Sequence, residues 1–223
     1  MENSNTSEII KRYETLSTPA VSDALDRLGI KGGCEGIKPL FYGIKAVGFA
    51  VTLKYLPVSI KKETVGDYID DIKKGAILVL DNNGRTDCTV WGGILTVVAK
   101  ERNISGTVID GVCRDVEVVR KLKYPLWSRG HFMVTGKDRV GLVDFNVPIS
   151  IGKVHVNPDD LIIGDDSGVL VVPKEKIKEV LKISEEIEDA EEKIVESISS
   201  GLSLRDARKK YHYHDLQKKL KKA

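Results

Sequence analysis

Cysteine, aromatic side chains and net charge are all scarce in this chain. Cys34, Cys88 and Cys113 are the three cysteines among 223 residues. Odd in number and far apart, they argue against a disulfide framework or a zinc ribbon and suit a reducing cytosol. Lysine and arginine number 35 against 33 aspartates and glutamates, leaving a formal charge of +2. So small an excess makes no bulk field to draw in nucleic acid or an anionic membrane. No run approaches the roughly 18 apolar residues that a membrane span needs. The polar, acidic stretch Met1–Lys11 is neither a secretion signal nor an Arg-rich transit peptide. There is no internal repeat and no low-complexity linker. What remains is ordinary globular material, 41% hydrophobic and 30% charged. It predicts a soluble cytoplasmic protein with enough chain for a sizeable core.

The pattern along the chain is that of an α/β protein. Thr18 can cap a helix with Pro19 at its first position, where a missing N–H breaks no bond. Val21, Leu25 and Leu28 give that helix an apolar face, and Gly29 supplies a left-handed stop. Gly32, Gly33 and Gly36 follow with neither strand before nor helix after, which reads as a plain turn. Lys45–Leu56 reads as a strand and Val65–Lys74 as a short helix. Ala76–Leu80 is a compact strand ending at Asp81, followed by a loop over Asn82–Asp87. Trp91-Gly92-Gly93 leads into an apolar helix reaching about Arg102. A second strand, Gly106–Ile109, ends at Asp110-Gly111, and Arg114–Lys121 is again helical. Two successive strand-to-helix units imply a parallel or mixed sheet. Tyr124–Val172 is β-rich, with Gly164–Gly168 as a hairpin or a tight β-corner. From Pro173 the chain is helical and charged, with Ile177, Val180, Leu181, Ile187, Ala190, Ile194 and Ile198 forming a narrow apolar stripe before Gly201. A basic tail, with YHYHD and QKKLKK, closes it. These signals assign 1–173 to one α/β domain. They assign 174–223 to a helical extension packed on that domain or on a neighbouring subunit.

Chemistry in open α/β sheets gathers at the carboxyl ends of strands, and two such places carry suggestive residues. Paired glycines opening the helix at Gly92-Gly93-Ile94-Leu95 let backbone N–H groups reach a ligand, and the helix dipole favours an anion there. After the next strand, Arg114 offers a planar fork for a carboxylate, and Asp115 a hard oxygen of the kind Mg²⁺ takes. Each alone has a plain reading: an Arg-Asp pair is commonly a surface ion pair or a cap, and a Gly-Gly a turn. Following consecutive strands, both can converge on one end of a sheet. His131 and His155 read as strand histidines, and His212 and His214 as part of a solvated or subunit-contacting tail. Trp91 and Trp127 are core or interface anchors, and Asp165-Asp166 a turn. The cysteines pack, although Cys113 beside Arg114 is a candidate lowered-pKa thiol.

The series TPAVSDALDRLG, GDYIDDIKKGAILVLD, VWGGILTVVAK, GTVIDGVCRD, VPISIGKVHVNPDD and DDSGVLVVP, between Thr18 and Pro173, resembles the RraA-like family. That family holds class II 4-hydroxy-4-methyl-2-oxoglutarate / 4-carboxy-4-hydroxy-2-oxoadipate aldolases and the RraA regulators of ribonuclease E. Gly93, twenty intervening residues and Arg114-Asp115 match its hallmark. The resemblance implies a swivelling β/β/α domain with a central mixed sheet and, here, a long C-terminal helix. It implies a homotrimer or dimer of trimers with active sites between subunits. It implies that Arg114 binds substrate and steadies enolate charge, that Asp115 holds Mg²⁺ or Mn²⁺, and that amides at Gly93, Ile94 and Leu95 hold a pyruvyl carboxylate. A neighbouring subunit's Glu191 or Glu192 is a further candidate. One departure stands out: the enzymes carry an acid three residues after that Asp, where this chain has Val118, with Glu117 about 100° of helix away.

The activity so implied is metal-dependent cleavage of a small 2-keto acid through a pyruvate enolate, by retro-aldol reaction, by oxaloacetate decarboxylation, or both. No lysine stands beside either strand end for a Schiff base, and Asp87 is a candidate for holding the general base. The alternative is a non-catalytic regulator that docks on an RNA-processing enzyme. No membrane and no nucleic-acid partner is expected.

Overall fold

The computed structural model describes residues 2–58 and 65–216. They fall into two compact units, one of Gly33–Lys174, the other of the residues up to Gly32 with those from Glu175 onward. The latter opens with α1 (Glu2–Thr15) and α2 (Thr18–Arg27). The cap of α2 is Ser17, not Thr18: Ser17 is extended and its hydroxyl accepts the Ala20 amide at 3.3 Å. Thr18 already has helical geometry, which a cap residue lacks. Gly29, at φ +69°, stops the helix as expected. The sequence reading placed no helix before Ser17; α1 buries Tyr13, whose hydroxyl donates to the Ile177 carbonyl at 2.8 Å.

The 33–174 unit holds β1 (Lys38–Pro39), β2 (Ala46–Pro57), β3 (Ile77–Thr89), α3 (Gly93–Glu101), β4 (Gly106–Cys113), α4 (Val116–Lys121) and β5 (Leu126–His131). It continues with β6 (Val140–Phe145), β7 (Ile149–Ile151), β8 (Val154–Val156), β9 (Leu161–Asp165) and β10 (Gly168–Val172). One mixed sheet runs β1-β5-β4-β3-β2-β9-β10, with β6 also on β2. The β2–β3, β3–β4 and β4–β5 pairs are parallel, so α3 and α4 are crossover helices. Strand alternation sorts the core into two faces. Leu78, Leu80, Ile109 and Leu126 pack with Ala99 and Val119 of the helices. Ile77, Val79, Val108 and Trp127 pack with Ile149, Ile151, Val154 and Val156 of the β7–β8 hairpin. The result is a β/β/α stack of hairpin, sheet and helices. Each such fully buried aliphatic side chain contributes about 1.5–3 kcal/mol.

Three expectations give way here. Asn82–Asp87 is not a loop between elements; β3 runs on through it. Its pairing with β4 jumps from Asp81↔Asp110 to Arg85↔Gly111 and then Thr89↔Val112. Asn83 and Gly84, at φ +52° and +68°, make the signalled turn as a bulge inside the strand. Likewise β4 continues through Asp110-Gly111 to Cys113. The helix expected over Val65–Lys74 is a five-residue 3₁₀ turn, Asp67–Asp71, with no side-chain cap at Gly66. The Gly164–Gly168 hairpin, in contrast, is present, with Asp165 Oδ1 accepting the Ser167 amide at 2.7 Å.

The remaining helices are α5 (Ile177–Ser199), α6 (Leu204–Lys210) and α7 (Tyr213–Leu216). The predicted α5 stripe is buried from Ile177 to Ile194, and α5 packs on α2. Ile198, at 40% exposure, drops out of the stripe. Arg12 of α1 grips Glu185 of α5 with two hydrogen bonds of 2.7 and 2.6 Å. The QKKLKK tail lies outside the described residues. Among the described residues, no helix is long and apolar enough to cross a membrane.

Candidate active site

β3 and β4 are neighbours, and each hands its chain to a turn that opens a helix. The first turn is anchored by Trp91, buried and stacked on Tyr124 at 6.1 Å, with its indole N–H donating to Thr96 Oγ1 at 2.9 Å. The second is tied to the first, because the Arg114 amide donates to the Trp91 carbonyl at 3.0 Å. Gly92, the N-cap of α3, has no side chain to satisfy the helix's first amides. Asp115, the N-cap of α4, takes a left-handed backbone, φ +56° and ψ +44°, which Asp tolerates better than most residues. Its Oδ2 accepts the Gly93 amide at 2.7 Å and lies 3.7 Å from Arg114 Nε. The glycines permit this approach. A Cβ on Gly92 would stand 2.9 Å from Asp115 Oδ2 and 3.1 Å from Arg114 Nε.

Gly92, Gly93, Ile94, Leu95, Arg114 and Asp115 therefore line one cavity of about 270 Å³. The Gly93 amide already serves Asp115, whereas those of Ile94 and Leu95 have no acceptor among the described residues. Arg114 and Asp115 are 40% and 42% exposed. A pair so wet adds little to stability.

The sequence reading missed Thr135 and Lys137, which line the same cavity. They come from the segment after β5, stitched to β3 by the Thr89 amide donating to the Val134 carbonyl at 3.0 Å. Nothing local marks Lys137; only the tertiary pairing does. A lysine thus stands at the cavity although none lies beside either strand end in the sequence.

Glu117 does not line this cavity. With His131, Phe132 and Met133 it lines a separate cavity of about 360 Å³, on which Arg114 and Asp115 also border. Val118 faces Gly93 instead, its Cγ2 3.4 Å from where a Cβ there would stand. Asp87 does not line the Arg114 cavity; Arg85 holds its two oxygens at 2.9 and 2.6 Å, which lowers its pKa. Cys113 is no lowered-pKa thiol, since burial pushes it up to about 11. His155 is exposed and meets Asn157 Oδ1 at 3.0 Å. His212 is exposed on the helical tail, and the His214 side chain lies outside the description. Trp127 is a core residue whose indole donates to the Asp165 carbonyl. In the helical unit, burial together with Asp23 and Glu188 raises the pKa of Glu191, whose Oε1 accepts from Tyr213 at 3.5 Å.

Asp115 Oδ1 has no hydrogen-bond partner among the described residues. Nor, among them, do three His, Cys, Asp or Glu side chains gather to enclose a metal. One free carboxylate oxygen beside an open cavity fits Mg²⁺ or Mn²⁺, which keep waters and take further oxygens from a ligand. It does not fit a closed site of the structural zinc kind.

The family model described as Aldolase/RraA matches residues 18–171, both site turns included. The chain belongs to the RraA-like family. "Protein DlpA" of Legionella pneumophila is 42% identical over 96% of this RraA-like chain, which spans about a third (35%) of that protein's length. A Halalkalibacterium halodurans protein named "Putative 4-hydroxy-4-methyl-2-oxoglutarate aldolase" is 35% identical, covering 78% of this chain and 81% of its own. Among solved structures, Streptomyces coelicolor RraAS2 superposes with a TM-score of 0.75 at 28% identity, covering 83% of this chain and 94% of its own. It is described as an unusual member of the RNase ES inhibitor RraA protein family. The RraA-like match stops short of α5, α6 and α7.

Proposed function

We propose that this RraA-like protein is a lyase that splits a pyruvate-containing 2-keto acid. Its substrates are of the 4-hydroxy-4-methyl-2-oxoglutarate type, oxaloacetate, or both. The observation that carries this reading is the sharing of one cavity by an arginine fork, a carboxylate and the helix N-terminus of α3, where one carboxylate oxygen and two amides have no partner among the described residues. The Ile94 and Leu95 amides, at the positive end of α3, receive the 1-carboxylate. Lys137 supplies a second cation for the distal carboxylate of a diacid. A proton leaves the C4 hydroxyl for a water that Asp115, the cavity's one carboxylate among the described residues, orients. The C3–C4 bond breaks, its electron pair forms the C2–C3 enolate, and a carbonyl compound departs. Arg114 neutralises charge growing on the C2 oxygen, and a proton delivered to C3 completes pyruvate. From oxaloacetate the same enolate arises by loss of CO₂. Mg²⁺ or Mn²⁺ held by Asp115 would supply the electron sink for either route.

The test is a panel of 2-keto diacids offered to the purified protein with Mg²⁺, with Mn²⁺ and without metal, coupled to pyruvate detection. No pyruvate from any of them with either metal would sink the reading. A second reading, a regulator that docks on an RNA-processing enzyme, draws on Val118 standing where the family's enzymes carry an acid. Capture of ribonuclease components without metal, from a preparation inactive as a lyase, would favour it. The proposal includes assembly as a trimer, which light scattering on the eluted protein measures directly.

A further inference from the structure

The cavity that holds Arg114 and Asp115 has an aliphatic lining as well as a charged one. Among the described residues its cations are Arg114 and Lys137 and its one carboxylate is Asp115. Val65 and Leu95 also line it, each half-buried and packed against the core on the helix side of the sheet. The two meet through Gly66, at the head of the 3₁₀ turn. A Cβ on Gly66 would stand 2.8 Å from Leu95 Cδ2 and 3.3 Å from its Cδ1. With φ at −145° the backbone does not call for glycine there; the closeness of Leu95 does. The corner at Val65-Gly66 is thus set directly against Leu95, and both sides of that contact give aliphatic surface to the cavity.

On the lyase reading, a 2-keto diacid already engages both cations. Arg114 meets the C2 oxygen and Lys137 the distal carboxylate, while the 1-carboxylate lies at the α3 amides. The remaining substituent on C4 has no cation left to meet among the described lining residues. We infer that Val65 and Leu95 receive that substituent, so that the cavity selects a methyl group there over hydrogen and rejects a carboxymethyl arm. A methyl group set against aliphatic side chains is removed from water favourably, and one such group is worth about 10-fold or more in selectivity. A third carboxylate would lose hydration against the same surface with no positive charge to pair it. The cavity, at about 270 Å³, is also small.

This placement of the acid rests on the lyase reading, and a binding experiment that needs no turnover tests it separately. Malate, citramalate and citrate carry hydrogen, methyl and carboxymethyl on the hydroxyl-bearing carbon and share the rest of their skeleton. Calorimetric titration of the full chain, without metal, should rank citramalate about 10-fold tighter than malate, and tighter than citrate. Val65→Ser should bring citramalate to within about threefold of malate. Gly66→Ala, whose new Cβ displaces Leu95, should narrow the same gap. Lys137→Gln should weaken all three acids, as expected of ligands in this cavity, and circular dichroism checks that each variant is folded. Citrate binding as tightly as citramalate overturns the inference, as does a methyl preference that Val65→Ser leaves intact. So does binding that Lys137→Gln leaves unchanged, or no binding of any of the three at millimolar concentration. Pyruvate release from 2-keto diacids, measured apart from this ranking, decides the lyase reading itself.

Discussion

Replacing Asp115 by asparagine isolates its charge from its architecture. Asparagine tolerates the left-handed backbone at φ +56°, and its side-chain carbonyl can still accept the Gly93 amide now held at 2.7 Å. What disappears is one negative charge, 3.7 Å from Arg114 Nε in a pair about 40% exposed on both sides. Solvent screening limits such a pair to roughly 0–1 kcal/mol, which at this chain length moves the melting temperature by about 2–4 °C at most. Turnover should respond quite differently. If Asp115 holds a divalent ion and orients the water that takes the hydroxyl proton, loss of its charge removes both. A fall in kcat/KM of about 10²–10³, or 3–4 kcal/mol in the barrier, is the size expected for a preorganised electrostatic group. The assay pairs calorimetric melting with pyruvate release at saturating Mg²⁺. A variant that keeps its melting temperature and also works within threefold of the parent would refute the role given to this carboxylate.

Gly92→Ala should leave the fold standing, because Gly92 is already extended (φ −152°, ψ −169°), yet push apart Asp115 and Arg114. Pyruvate release should fall about tenfold or more, as small displacements of positioned groups do, with thermal melting as the control; full activity would mean the close approach is dispensable. EDTA should abolish pyruvate release and Mn²⁺ or Mg²⁺ restore it. Borohydride added with pyruvate should leave the protein mass unchanged; a reduced adduct on Lys137 would instead indicate Schiff-base chemistry. Asp110 is buried, accepts the Gly152 amide at 2.9 Å and pairs with Arg129. Asp110→Ala should lose about 1–3 kcal/mol in urea titration, chiefly through the Gly152 amide left buried without its acceptor, and a loss below 1 kcal/mol would contradict that. Burial raises the Cys34 and Cys113 thiols to about 12 and 11. The folded state therefore holds those protons more tightly than the unfolded one. Their contribution is fully present below the ordinary thiol pKa near 9 and is lost as pH climbs toward 11–12. The urea midpoint should drop between pH 8 and 10.5, and a flat profile would deny it.

The strand-to-helix rhythm and the two site turns were legible because each rests on local chemistry: an apolar run, then glycines or an Arg-Asp pair where a helix begins. Spacing also foretold that Glu117 and Val118 would part company on α4. The bulge in β3 was misread because Asn83 and Gly84 signal a turn whether or not the flanking strand resumes, and only the partner strand β4 decides that. α1 was hidden by polar composition, although Ile9, Tyr13 and Leu16 recur at helical spacing. The Cys113 thiol was judged by its neighbour in sequence, Arg114, when its environment is set by the β4 interior and the Ser128 hydroxyl. Lys137 could not be found at all without the β3 pairing that carries it to the cavity.

Asp115 is held by main-chain means: a left-handed twist of its own backbone and an amide at the head of the neighbouring helix. A constellation fixed in that way asks of its surroundings chiefly the two glycines that let the carboxylate approach. On the proposed function, the walls of the hollow, among them Ile94 and Leu95, which would offer amides rather than side chains to the anion, are free to drift and to retune which acid is welcomed. On that reading, the same scaffold can change its diet by ordinary point substitutions without rebuilding the groups proposed to break the bond.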